Sequence, residues 1–281
     1  MQKIFDLTFD EERALYALKD AEVDNCKFDG PADGESAFKE CHNITVNNSY
    51  FNLRYPFWHN TNTAIKNCEL TENCRAAIWY CEGFTAENCK MNGIKAFREC
   101  KGVSLDSVAA NSPEFFWRCS DIHIKNSEII SEYPFFECSD ISIDNLKMTG
   151  KYSFQYVENA VIENSVLTTK DAFWHSKNVT VKDSVIKGEY LGWYSENLHL
   201  IRCKIIGTQP LCYCKGLVLE DCETKGCDLS FERSEVNATI RGEIESIKNP
   251  APNSVITADK IGETILEKEF CDPQKVTIHI K

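Results

Sequence analysis

The chain has 281 residues, 43% of them hydrophobic and 26% charged, and a net charge of −12. That apolar content supplies a sizeable core and excludes a disordered chain, and no apolar run approaches the roughly 20 residues of a membrane-spanning helix. The acidic balance argues against nucleic-acid and anionic-membrane partners.

The N-terminus (MQKIFD) has no basic stretch leading into an apolar run, so no signal peptide is expected. Thr8 and Glu11 have the spacing of a capping box ahead of residues 12–18, which would make a short helix closing this end. Leu15, Tyr16, Ala17 and Leu18 also fall in register as part of a first coil, and this is the preferred reading.

From Cys26 onward the chain repeats. The residue ending segments such as 62–68 (NTAIKNC) and 121–127 (DIHIKNS) recurs at Cys26, Ser49, Cys68, Cys89, Val108, Ser127, Leu146, Ser165, Ser184, Cys203 and Cys222. The spacings are 23, 19 and 21, then 19 seven times. A constant short period is the signature of a solenoid, and it overrides a two-domain reading of the length. Ahead of each anchor runs an alternating apolar segment, such as Ile122 and Ile124 or Val179 and Val181, as expected of a half-buried strand. Asn48, Asn67, Asn88, Asn126 and Asn164 stand just before their anchors, where their tolerance of left-handed backbone suits a corner and their side chains can form a ladder. Nineteen residues cannot hold a strand, a crossover helix and a returning strand. They suit one coil of about three short strands. The competing solenoid, a leucine-rich horseshoe, lacks its leucine-spaced motif here. The expected fold is therefore an all-β, single-stranded parallel β-helix of about eleven 19-residue coils over residues 1–234. Residues 235–281, where the period fades, are expected to cap its C-terminal end.

A four-residue segment upstream of each anchor carries the candidate functional groups. Its first position is mostly Phe (Phe38, Phe57, Phe97, Phe116, Phe135, Phe154, Phe173). The second holds every tryptophan in the chain: Trp58, Trp79, Trp117, Trp174 and Trp193. The third is Glu40, His59, Tyr80, Glu99, Arg118, Glu137, Tyr156, His175, Tyr194, Tyr213 and Glu232, and its charges should face solvent. The fourth is mostly Cys. Strict alternation would then turn Phe outward and Trp and Cys inward; a bend between the first and second positions would reverse Phe and Trp. The bend is the preferred reading. It makes Trp58, Trp79, Trp117, Trp174 and Trp193 a flat aromatic face, rimmed by Tyr80, Tyr156, His175 and Tyr194, suited to the apolar face and polar edges of sugar rings. Plain stacking of like residues is the competing explanation. The expected partner is an oligosaccharide or polysaccharide, or a second copy of the chain through the aromatic face.

For catalysis, the same face offers Glu99, Glu137 and Arg118, candidates for a glycoside hydrolase or polysaccharide lyase. Arg118 between two carboxylates would depress their pKa values, which is unfavourable for a general acid. No cofactor is expected, and no metal. The row Cys81, Cys100, Cys119 and Cys138 is collinear and cannot close a tetrahedral site. Fifteen cysteines without an export signal point to a reduced, cytoplasmic protein in which they fill crowded interior corners.

The repeat, with segments 75–81 (RAAIWYC), 188–195 (GEYLGWYS), 208–214 (TQPLCYC), 228–232 (DLSFE) and 247–250 (IKNP), resembles an uncharacterised bacterial family of right-handed parallel β-helix proteins in the pectin-lyase-like superfamily. The resemblance covers nearly the whole chain. It implies the fold and its hand; members of that superfamily often act on polysaccharides. The catalytic aspartate groups of pectin hydrolases and the calcium-binding acids of pectate lyases have no matching motif here.

Overall fold

The computed structural model describes residues 2–281, in two compact units, one ending at Ser142 and the other Ile143–Lys281. In the first unit, Gln2–Phe5, Lys19–Asp24, His42–Asn47, Thr61–Lys66, Glu82–Glu87, Lys101–Asp106 and Ser120–Glu132 pair in parallel, each with the next. In the second, Glu158–Glu163, Lys177–Lys182, Glu196–Ile201, Leu217–Lys225, Val236–Lys248, Val255–Ile265 and Thr277–Ile280 do the same. The chain is an all-β parallel solenoid of about 15 turns. The only helix among the described residues is the short 3-10 segment Pro273–Lys275.

The period-2 pattern places alternate residues of each strand inside. Val23, Val46, Ile65, Ala86, Leu105 and Ile124 stack in register along the first unit, each no more than 2% exposed. The Phe position adds a second inward column. Phe97 and Phe116 lie 4.4 Å apart at 6°, Phe116 and Phe135 5.3 Å apart at 10°, and in the second unit Phe154 and Phe173 5.0 Å apart at 8°.

The corners are built from residues that can take left-handed backbone angles. Asn48, Asn67 and Asn88 have φ of 49°, 52° and 51°. Their side-chain amides form a ladder: Asn48 donates to Asp24 at 2.7 Å, Asn67 to Asn48 at 3.1 Å and Asn88 to Asn67 at 2.7 Å. The anchor beside them turns inward and closes the corner. Ser49 Oγ donates to the Asn47 carbonyl at 2.7 Å and accepts the Cys26 N–H at 3.1 Å. Cys68 Sγ donates likewise to the Lys66 carbonyl at 3.3 Å, so Ser and Cys do the same work. At Gly207 (φ 136°) the approach of successive turns decides the residue, because a Cβ would lie 2.1 Å from the Gly188 carbonyl oxygen.

At the N-terminal end the preferred coil holds, and one expectation changes. Residues 12–18 form turns and no helix; the N–H groups of Arg13, Leu15 and Ala17 donate to the carbonyls of Glu35, Ala37 and Lys39 on the next turn. The capping-box spacing loses to coil-to-coil bonding. The coil count also exceeds the expected eleven: Gln2–Phe5 adds one turn, and Val236–Lys248, Val255–Ile265 and Thr277–Ile280 add three. Val236–Lys248 and Val255–Ile265 keep buried apolar positions, Ile240, Ile244 and Ile256 among them, whereas Thr277–Ile280 is largely exposed; all three lack the Asn-Cys/Ser corner, and the register slips between Ile240 and Glu243. The period therefore fades although the winding continues.

Phe97, fully buried between neighbouring rings, gives a direct test of the core. Phe97→Ala should lower unfolding free energy by about 3–5 kcal/mol, read from urea denaturation.

Candidate functional site

The four-residue segment points in, out, out, in. The Phe and Cys positions are buried, the Trp position is half-buried and the third position is exposed over most of the chain. Two successive outward residues require a break in strand geometry; left-handed backbone marks it at the third position, and in the turns of Phe116, Phe135, Phe154, Phe173 and Leu211 at the first position as well, beside the expected bend. From Glu40 to Tyr213 the residues of this position have φ between 51° and 62°. For non-glycine residues this conformation costs about 1–2 kcal/mol each. Coil-to-coil hydrogen bonds hold it: His59 N–H donates to the Trp79 carbonyl at 3.0 Å, Tyr80 to Arg98 at 2.9 Å, Tyr156 to Trp174 at 2.9 Å and His175 to Trp193 at 3.0 Å.

The tryptophans face outward, but on edge. Trp58 and Trp79 stack at 5.2 Å and 4°, and Trp174 and Trp193 at 5.7 Å and 4°. Arg98 continues the first stack, its guanidinium carbon 5.0 Å from the Trp79 ring centroid and 5.1 Å from that of Trp117. Phe136 lies beyond, 5.0 Å from Trp117. Each indole N–H donates to a backbone carbonyl of the next turn: Trp58 to Ala76, Trp79 to Lys95 and Trp117 to Tyr133 at 2.8 Å, Trp174 to Tyr190 at 2.9 Å, and Trp193 to Gln209 at 2.8 Å. All five acceptors belong to left-handed corner residues. The column thus suits a flat side chain with a donor on its edge, and every tryptophan falls there, although Phe136 fills it with a ring alone. Gln155 takes the same position and donates to the Asp171 carbonyl at 3.4 Å. The expected flat face is a row of edges, because the ring faces cover one another.

The third position makes its own stacks. His59 and Tyr80 lie 4.9 Å apart at 11°. In the second unit Tyr156, His175, Tyr194 and Tyr213 follow at 5.1, 5.0 and 4.9 Å, with interplanar angles of 15° or less. Tyr156 and Tyr194 are 48% and 42% exposed, so phenol edges line this face. The catalytic candidates lie in the first unit. Arg118 Nε donates to Glu137 Oε2 at 2.8 Å, and this bond raises the Arg118 guanidinium above its ordinary pKa. Both side chains are about half exposed, unlike the desolvated setting that tunes a general acid. Glu99 lies one turn from Arg118 and acts on it only through charge.

The cysteines are all buried and unpaired. Burial pushes the Cys41, Cys74 and Cys212 thiols up to about 12 and those of Cys214 and Cys227 up to about 11. Among the described residues no group of three or more His, Cys, Asp or Glu could hold a metal ion.

A groove on the flat face of the first unit was not anticipated. It has a volume of about 530 Å³ and is lined by Ala64, Thr85 and Ser104 together with Lys66, Glu87 and Lys125. Its signal in the sequence is the run of small residues at the central outward position of successive strands.

The chain belongs to a family described as "Protein of unknown function (DUF3737)", which matches residues 2–279. No curated protein matches it. Among solved structures it is similar to HetL, a pentapeptide repeat protein of the cyanobacterium Nostoc sp. strain PCC 7120, at 12% identity and a TM-score of 0.34, covering 80% of this chain and 92% of that one. It is also similar to the tailspike of Escherichia coli bacteriophage HK620, solved with a pentasaccharide, at 8% identity and a TM-score of 0.43, covering 94% and 65%. A third is the A-module of the mannuronan C-5 epimerase AlgE4 of Azotobacter vinelandii, at 10% identity and a TM-score of 0.32, covering 99% and 87%. No helix is long and apolar enough to cross a membrane among the described residues.

Two outcomes follow from this geometry. Trp79→Phe keeps a ring but strips the donor from the Lys95 carbonyl, and should cost about 1–3 kcal/mol in urea unfolding. Trp79→Gln, copying Gln155, should recover part of that loss. The thiols supply the second. An unfolded chain gives up thiol protons near pH 9, whereas the folded Cys41 and Cys212 thiols keep theirs to about 12. The folded state binds more protons in that window, so stability should be fully present below pH 9 and fall as pH rises towards 12. Denaturation midpoints across that range should show the fall, with a shallower slope in Cys41→Ser.

Proposed function

We propose that this member of a family of unknown function binds a carbohydrate-like polymer along the exposed ladder of the third position. The tryptophans serve as its rigid backing, not as a stacking platform. One observation carries the reading: in the second unit, Tyr156, His175 and Tyr194 present polar edges in a line, one per turn, 5.0–5.1 Å apart. A chain of sugar units offers hydroxyls at similar regular intervals, and rings fixed by stacking lose little entropy on meeting it. The net charge of −12 favours a neutral glycan over a polyuronate. The fifteen unpaired thiols support a reducing, cytoplasmic setting.

Hydrolase or lyase chemistry at Glu99, Arg118 and Glu137 is a weaker reading, because the exposed Arg118–Glu137 ion pair engages the groups that would act. Self-association through the aromatic face is the other alternative, and one experiment separates it from glycan binding.

The test is titration calorimetry with neutral oligosaccharides and oligouronates, alongside sedimentation. Tyr194→Phe keeps the stack and removes the hydroxyl, and should weaken neutral glycan binding about 5–10-fold, or about 1–1.4 kcal/mol, without changing stability. Binding of no neutral glycan by the folded protein, or a sedimentation shift on Trp193→Ala without a binding change, would overturn the proposal.

A further inference from the structure

In the first unit the fourth position places a thiol on four successive turns, Cys81, Cys100, Cys119 and Cys138, each no more than 3% exposed. The Cys119 Sγ accepts the Cys100 N–H and the Cys138 Sγ accepts the Cys119 N–H, both at 3.4 Å. The sulfurs therefore follow the backbone ladder, whose turns are spaced by about 4.8 Å. Two metal–sulfur bonds of about 2.3 Å laid end to end span about 4.6 Å. A collinear row cannot surround an ion, and no carboxylate or imidazole joins it, which disfavours ions that need four ligands or oxygen donors. Soft monovalent d10 cations take two thiolates in line. Hydrogen bonding does not by itself require sulfur here: Ser176 and Ser195 fill the same position in the second unit, buried.

We propose that the gaps between Cys81, Cys100, Cys119 and Cys138 bind soft monovalent d10 cations, Ag(I) or Cu(I), each bridging the sulfurs of adjacent turns. The three gaps hold at most two ions, one between Cys81 and Cys100 and one between Cys119 and Cys138, because an inner sulfur in line between two ions would need a metal–sulfur–metal angle of about 180°. The charges close without any redox step. When two ions enter and two protons leave, each pair keeps one thiol proton and is neutral, the state a dry core favours. Loss of the remaining protons leaves one negative charge on each pair. Entry requires transient opening of the turns, so loading is slow. This site is independent of the glycan reading.

The test uses the reduced full-length protein, titrated with Ag(I) in chloride-free, thiol-free buffer under nitrogen. Native mass spectrometry counts ions, near-ultraviolet absorbance reads thiolate-to-metal charge transfer, and circular dichroism follows the fold. Cys100→Ser/Cys119→Ser leaves no two thiols of the row on adjacent turns and should bind two fewer ions than the wild type. Cys119→Ser alone keeps the Cys81–Cys100 gap and should bind one fewer, which preserves the test if the double variant does not fold. Cys203→Ser/Cys222→Ser in the second unit should leave those two in place. No bound ion at native circular dichroism, equal stoichiometry in wild type and the row variants, or uptake only on unfolding would each overturn the proposal.

Discussion

Parallel pairing between successive turns is the constraint on which the rest of the structure depends. It fixes each residue against its own counterpart one turn on, so within each unit like meets like: Phe on Phe, Trp on Trp, Asn on Asn. A side chain suited to its position is thus repeated wherever the position recurs, and the chemistry of one turn becomes a column. The columns described here, from the amide ladder at the corners to the thiol row, are consequences of that register.

The register has a cost at the corners. Each turn holds several non-glycine residues in left-handed geometry, at about 1–2 kcal/mol apiece. A net hydrogen bond of about 0.5–1.5 kcal/mol and an aromatic pair of about 0.5–1.5 kcal/mol are each of that order, and the third position has both. The indole N–H bonds act from outside on other left-handed residues, donating to carbonyls such as those of Ala76 and Lys95 on the next turn. Arg98 and Gln155 show the two halves of the tryptophan's task separately. Arg98 supplies a flat group between rings, and Gln155 supplies the edge donor.

The fold was legible because the period is strict and each repeated position has a plain physical demand. Small anchors, Asn corners and alternating Ile and Val were enough to identify parallel winding. The outward direction of the tryptophans was also within reach, since burying Lys39 and Arg98 in the same column would be unfavourable. Their edge-on posture was not, because it depends on the side-chain torsions that aim the indole N–H at the next corner. The break at the third position was likewise hidden: Glu99, Arg118 and Tyr156 carry no propensity for left-handed backbone and adopt it because the ladder imposes it. The last three turns were read as a cap for the opposite reason. Val236–Lys248 and Val255–Ile265 keep buried apolar positions but use other corner residues, and Thr277–Ile280 is largely exposed, so self-alignment fails where the winding continues.

The uneven early spacings have a consequence for how such a chain can change. Phe28 pairs with Phe51, and Phe38 stacks on Phe57. Yet nine residues lie between Phe28 and Phe38, against five between Phe51 and Phe57 and seven between Leu70 and Ile78. The surplus bulges outward at one corner while the strands on either side keep their partners. That corner is a splice point: the molecule can acquire or lose whole loops there, and with them new surface, without renegotiating its core.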